Sequence, residues 1–209
     1  MKRYLLYIFD LDGTLVDSLN GLKMCYKQAL DELGLKYDSD DLSDYIRESL
    51  QSTYNRFDNP GFTYETFEKT VYNAYEITMD AYSFPYPDTY PALLELKKRG
   101  ASMCIATKSR VCRTKNVLEI HNLDGFFDHI VGYDSVKKQK PDPECLEICA
   151  SFYDVEKKDI LFVGDSDTDV IAAEAFGIDS AFVERGKNGY HDCTYRLRNL
   201  KELLDSKEV

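Results

Sequence analysis

Two aspartates close the first apolar run of the chain, in YIFDLDGTLVDS, and a second acidic group follows far downstream in VGDSDTD. Asp10 and Asp12 are two positions apart, so in an extended chain their side chains point the same way. Carboxylates held close together disfavour each other's charge. A cluster of this kind needs positive charge nearby, and the sequence offers Lys140 in KKQKPDP and Thr107 in IATKS as further polar candidates. With a net charge of -11, an anionic substrate must be held by local cations or by a metal.

These residues fall at related places in the pattern of elements. YLLYIF is a short buried strand, and SMCIAT (102–107), HIV (129–131), ILFVG (160–164) and SAFVE (180–184) look like four more. Helical patterns separate them. DTYPALLELKKRG carries an early Pro91, basic residues in its last turn and Gly100 as a stop, and DTDVIAAEAFG closes on Gly177. In DPECLEICASFY, Asp142 is the expected N-cap and Pro143 the first helical residue. Strand and helix in alternation predict an α/β fold with a doubly wound parallel sheet. In such sheets ligands bind beyond the carboxyl ends of the strands. Asp10 and Asp12, Thr107, and the GDSDTD run (164–169) all lie at such ends, with Lys140 just before a helix. The four specified residues of DxDGT arise by chance in a chain of this size on the order of 10⁻³ of the time. GDSDTD taken alone also reads as a helix start, because Asp and Ser cap helices well.

Residues 16–83 break the alternation. They contain no convincing buried strand and read as an all-helical insert after strand 1, leaving 1–15 and 84–209 as the core. SLNGLKMCYKQALDELG presents Leu19, Leu22, Tyr26, Ala29, Leu30 and Leu33 on one face. LSDYIRESLQSTYNRF and TYETFEKTVYNAYEITMDAY read as further helices. The insert holds 6 Lys/Arg against 13 Asp/Glu, a net of -7, so most of the excess negative charge lies there. Its 8 tyrosines recur at helical spacing and are read as packing its own core. The acidic balance excludes nonspecific nucleic-acid and anionic-membrane binding. No run approaches the roughly 20 apolar residues that span a bilayer. MKRYLLYIF has the basic start of a signal peptide, but its apolar run stops at Asp10 without a cleavage site. Six cysteines without metal-type spacing are read as reduced thiols in a cytoplasmic protein.

The motifs DLDGT (10–14), IATKS (105–109), KPDP (140–143) and VGDSDTD (163–169) together resemble the haloacid dehalogenase superfamily, over nearly the whole chain. The resemblance is closest to the branch of phosphoglycolate phosphatases and β-phosphoglucomutases, with a Rossmann-like core and a small helical cap inserted after the first motif. It implies a Mg²⁺-dependent phosphatase of a small phosphorylated metabolite, acting through an aspartyl-phosphate. By the same resemblance Asp10 is the nucleophile and Asp12 the general acid and base. Thr107 binds the phosphoryl oxygens, and Lys140 neutralises charge between Asp10 and the phosphate. Asp10, the backbone carbonyl of Asp12, Asp165 and Asp169 serve the metal, and the cap closes over the site. The chemistry of phosphoryl transfer agrees, since an anionic nucleophile meets an anionic substrate and catalysis is mainly charge neutralisation and alignment.

Three positions depart from the pattern of relatives. Lys108 stands where Asn or Ser is usual, and adds a candidate cation for substrate. Arg47, in YIRESL, stands where Gly is usual in the cap and is a second candidate for an anionic group. YNAYE (72–76) lacks the arginine of the basic patch that many caps carry, which argues against phosphoglycolate itself, and the insert's negative charge argues against bulky polyanions. The rival readings are a phosphomutase of the β-phosphoglucomutase type and, more remotely, a non-enzymatic phosphoacceptor or binding module. Thr14 stands against the mutase, where those enzymes usually carry a branched aliphatic residue. The sequence sets no oligomeric state, and a monomer is compatible with it.

Overall fold

Six short strands form one parallel sheet in the computed structural model, which describes residues 1–38, 42–58, 60–185 and 192–205, without the side chains of Asp44 and Arg47. They are β1 (Leu6–Phe9), β4 (Ser102–Ala106), β5 (His129–Val131), β6 (Ile160–Gly164), β7 (Asp179–Val183) and β8 (Tyr195–Leu197), in the order β5-β4-β1-β6-β7-β8. Every pairing is parallel. All four residues of β1 are buried, as a central strand covered on both faces requires. Alternate residues feed two cores. Tyr7, Phe9, Ile105 and Val163 pack with Leu93 of α5 (Thr89–Lys98) and Val117 of α6 (Val111–Ile120). Leu6, Ile8, Cys104 and Phe162 pack with Leu146 of α7 (Glu144–Ser151) and Ala172 of α8 (Asp167–Phe176).

Register positions the site. Phe9 pairs with Ile105 on one side and with Val163 on the other, so the chain leaves β1, β4 and β6 at one level. Strand order reverses direction between β1 and β6, which makes their carboxyl ends the topological switch point of the sheet.

Residues 18–83 form a second compact unit, apart from the unit made by 1–17 and 84–209. It contains α1 (Leu19–Glu32), α2 (Ser43–Arg47), α3 (Leu50–Tyr54) and α4 (Tyr64–Thr78). Tyr26, Ala29 and Leu30 of α1 meet Phe67, Val71 and Ala74 of α4 in its core. On the larger unit, β2 (Val16–Asp17) and β3 (Phe84–Pro85) pair antiparallel where the chain leaves and re-enters.

Several local expectations are corrected. Leu19 is 49% exposed, and Cys25 takes a place in the buried face of α1 instead. The single helix expected over LSDYIRESLQSTYNRF is two, because Glu48 and Ser49 turn extended and Ser49 Oγ caps α3 by accepting from Ser52 N. Pro143 rather than Asp142 is the N-cap of α7, while Asp142 Oδ1 accepts from Glu144 N. Strand β8 has no apolar run to announce it; it exists because β7 leaves an open edge beside it. Among the described residues, no helix is long and apolar enough to cross a membrane.

Candidate active site

The turn after β1 brings the first motif out of the sheet. Asp10 still donates its backbone N–H to Val163 O of β6, at 2.9 Å. The Leu11 carbonyl then accepts from the N–H groups of Thr14, Leu15 and Val16. Gly13 sits at φ +88°, and a Cβ there would lie 2.3 Å from Asp165 Oδ2, so both conformation and space demand glycine. The turn is closed over Asp165 in this way, and Thr14 Oγ1 donates to Asp165 Oδ1 at 3.2 Å.

Lys140 is the hub of the buried site. Its Nζ lies 2.7 Å from Asp10 Oδ1 and 2.7 Å from Asp169 Oδ1, and it donates to the Ala106 carbonyl at the end of β4 at 3.0 Å. Asp169 Oδ2 is held from the other side by Ser166, whose backbone N–H and Oγ donate to it at 3.1 and 2.6 Å. The helix-start reading of GDSDTD holds, and the carboxylate that caps α8 also faces Lys140. Gly164 is required here too, because a Cβ would meet the Asp169 carboxylate at 2.5 Å.

Asp10, Asp165 and Asp169 are all buried, and each can offer a carboxylate oxygen within 4.8 Å of the others. Three carboxylates face one ammonium. Burial pushes the Asp10 carboxyl up, to about 8, with Lys140 opposing the rise and Asp169 and Asp165 adding to it. Burial alone lowers the Lys140 pKa, but Asp10 and Asp169 outweigh it and hold that ammonium above the ordinary lysine range. An all-oxygen, buried and anion-rich donor set fits a hard divalent cation such as Mg²⁺, with Asp10, Asp165 and Asp169 as the residues to hold it.

Asp12 goes elsewhere. Its side chain is not in the acidic triad: Arg113 Nη1 and Nη2 donate to its two oxygens at 2.7 and 2.9 Å, and Ser109 Oγ donates at 2.6 Å. Each carboxylate meets its own cation, Lys140 at Asp10 and Arg113 at Asp12, which offsets the repulsion between them.

Thr107 is buried at the end of β4, its N–H donating to Val131 O and its Oγ1 accepting from Ser109 N at 3.1 Å. Lys108 is exposed, and its Nζ reaches Thr168 Oγ1 at 3.0 Å, beside the start of α8. Arg47 is the last residue of α2 in the helical unit; its side chain lies outside the described residues.

Two site residues escape motif reading. Arg113 was legible in principle as a charge on the inner stripe of α6, among Thr114, Val117 and Leu118. Arg185 gave no such signal. It forms a buried pair with Asp88, Nη1 lying 2.8 and 3.0 Å from the two carboxylate oxygens, while Nη2 donates to Thr14 O at 2.8 Å and so braces the DGT turn.

The profile of the haloacid dehalogenase-like hydrolases matches residues 7–183. The chain belongs to that family. A phosphoglycolate phosphatase of Aquifex aeolicus is 31% identical over 83% of this chain and 82% of its own. A pyrophosphatase of Oceanobacillus iheyensis is 26% identical over 84% and 81%. In fold, the chain superposes with a TM-score of 0.81 on a subfamily IA hydrolase of the superfamily from Geobacter sulfurreducens, at 23% identity over 97% of this chain and 95% of that one. The protein is an enzyme of the phosphatase kind within this family.

Proposed function

We propose that the enzyme hydrolyses a small phosphomonoester with Mg²⁺, through a phosphoryl group carried on Asp10. The observation that carries this reading is the hub at Lys140, which binds Asp10 and Asp169 at 2.7 Å within a buried acidic triad. One oxygen of Asp10 attacks phosphorus and the bond to the alcohol oxygen breaks. Asp12 delivers a proton to that oxygen. In the second half, water attacks the phosphorus, Asp12 takes its proton, and the bond to Asp10 breaks to release phosphate. Lys140 offsets the repulsion between Asp10 and the incoming anion, and Thr107 orients the phosphoryl oxygens. When bound, Mg²⁺ supplies the remaining positive charge and holds the phosphate in line. Lys108 and Arg47 are assigned to the substrate's own polar groups, and the 18–83 unit to selecting among substrates. The relatives named as acting on phosphoglycolate and on pyrophosphate support a small phosphorylated substrate without choosing one.

Asp10→Asn is expected to abolish turnover of p-nitrophenyl phosphate and of small sugar and acid phosphates, and acid-quenched wild type to carry a labile phosphoryl group that the variant lacks. Retained hydrolysis in the variant sinks the mechanism. Free phosphate released in step with the alcohol separates it from a mutase.

A further inference from the structure

Arg113 is a charged side chain, 7% exposed, in the buried stripe of a helix that no motif includes. A buried guanidinium is unfavourable unless its donors are met. Here its two terminal nitrogens are met by one partner set. Nη1 and Nη2 take the two oxygens of Asp12 as a fork, at 2.7 and 2.9 Å, and Nη1 also donates to Ser109 Oγ at 2.6 Å. Ser109 Oγ in turn donates to Asp12 Oδ2, closing a triangle. Two parallel bonds to one carboxylate fix its plane as well as its position, which a single ammonium cannot do.

The support behind this triangle is itself built. Ser109 O accepts from Tyr133 N at 2.8 Å, and Val111 N, at the first turn of α6, donates to Asp134 Oδ1 at 2.9 Å. Gly132 lets these segments approach, because a Cβ there would lie 2.7 Å from Ser109 O and 2.8 Å from Val111 N. The loop after β5 thus clamps the start of the helix that carries Arg113. Ser109 lies just before the extended N-cap Arg110, and its Oγ accepts from Arg113 across the start of α6.

We infer that Arg113, with Ser109, is a positioning residue: it presets the carboxylate of Asp12 for proton transfer in both halves of the reaction. The inference rests on the assignment of Asp12 as acid and base in the proposed function. In the contacts described, Arg113 meets Asp12 and Ser109, and the effect proposed for it runs through Asp12.

The test is rapid-quench and stopped-flow kinetics with 2,4-dinitrophenyl phosphate, whose leaving group needs no proton, beside an alkyl phosphate, whose leaving group does. In Arg113→Gln, the burst of dinitrophenolate is expected to keep its amplitude and rate, while the following steady state falls by about 10- to 100-fold. Turnover of the alkyl phosphate falls at least as far. Arg113→Lys, which retains charge without the fork, restores little. Adding Arg113→Gln to Asp12→Asn produces no further loss. A burst lowered in proportion to turnover means fewer folded sites and overturns the inference, as does an additive double variant or a faster steady state. If wild type itself gives no burst and Asp10→Asn stays active, the proposed mechanism has failed rather than the role of Arg113. Thermal melts of each variant, read by circular dichroism, check that the sites counted by the burst are folded.

Discussion

Replacing Lys140 by methionine tests the electrostatics of the site, because it keeps an unbranched stem and removes the ammonium with its charge and its donors. The ammonium is the one described cation within 2.7 Å of both Asp10 and Asp169. Without it, the group of Asp10, Asp165 and Asp169 goes from a formal charge of about -2 to about -3. Removing one partner of a buried ion pair destabilises by about 3–5 kcal/mol. The loss is limited because Asp10, already pushed up to about 8, can take a proton and shed its charge. At about 2–4 °C per kcal/mol for a chain of this size, the metal-free protein should melt roughly 6–20 °C lower. The catalytic effect is separate, since the variant has nothing to offset the repulsion between Asp10 and phosphate, and kcat should fall by about 10²–10³. The assays are differential scanning calorimetry in EDTA and in Mg²⁺, and turnover of p-nitrophenyl phosphate. Mg²⁺ should recover part of the melting temperature, because it brings positive charge back to the same oxygens, but not the turnover. A variant that melts with wild type in EDTA, or that keeps kcat within about threefold, refutes the view of Lys140 as the electrostatic hub.

Gly13→Ala combines a left-handed φ of +88° with a Cβ placed 2.3 Å from Asp165 Oδ2. The backbone alone costs about 1–2 kcal/mol, and displacement of Asp165 should cut kcat by about 100-fold, with Mg²⁺ affinity by isothermal titration calorimetry falling in parallel; an unchanged affinity would contradict the fit of Asp165 to the metal. Alkaline stability follows in part from a buried thiol and a half-buried tyrosine. Burial pushes the Cys145 thiol up to about 12, and burial with Asp17 pushes the Tyr86 hydroxyl up to about 12. A raised folded-state pKa stabilises fully below the unfolded value and is lost as pH rises through the folded one, so stability should decline between about pH 9 and 12. Urea midpoints across that window test it, and Cys145→Ala should flatten the decline; a flat wild-type profile would count against it.

The fold was legible because its signals are local and redundant. Short β-rich runs ending in polar motifs alternate with capped helices, and only a parallel, doubly wound sheet places those endings together. The structure brings Asp10, Lys140, Asp165 and Asp169 together from three separate segments, and register is the reason: β1, β4 and β6 end at one level. What stayed hidden was partner choice and local geometry. The motif shows Asp10 and Asp12 two positions apart but not that each has its own cation. The split between α2 and α3 at Glu48–Ser49 was hidden because a capping serine and a helical serine look alike in an apolar-periodic stretch.

By itself, the sequence determined which residue types end each strand and which family the motifs resemble, since both depend on order and spacing along the chain. Tertiary structure alone decided the pairings. Arg113 is 101 residues from Asp12, and Arg185 is 97 from Asp88. Neither distance leaves a periodic mark, because a long-range salt bridge constrains two points in space and nothing between them. Which carboxylate received which cation was therefore set by packing: Lys140 enters beneath the sheet edge to Asp10 and Asp169, while α6 delivers Arg113 to Asp12.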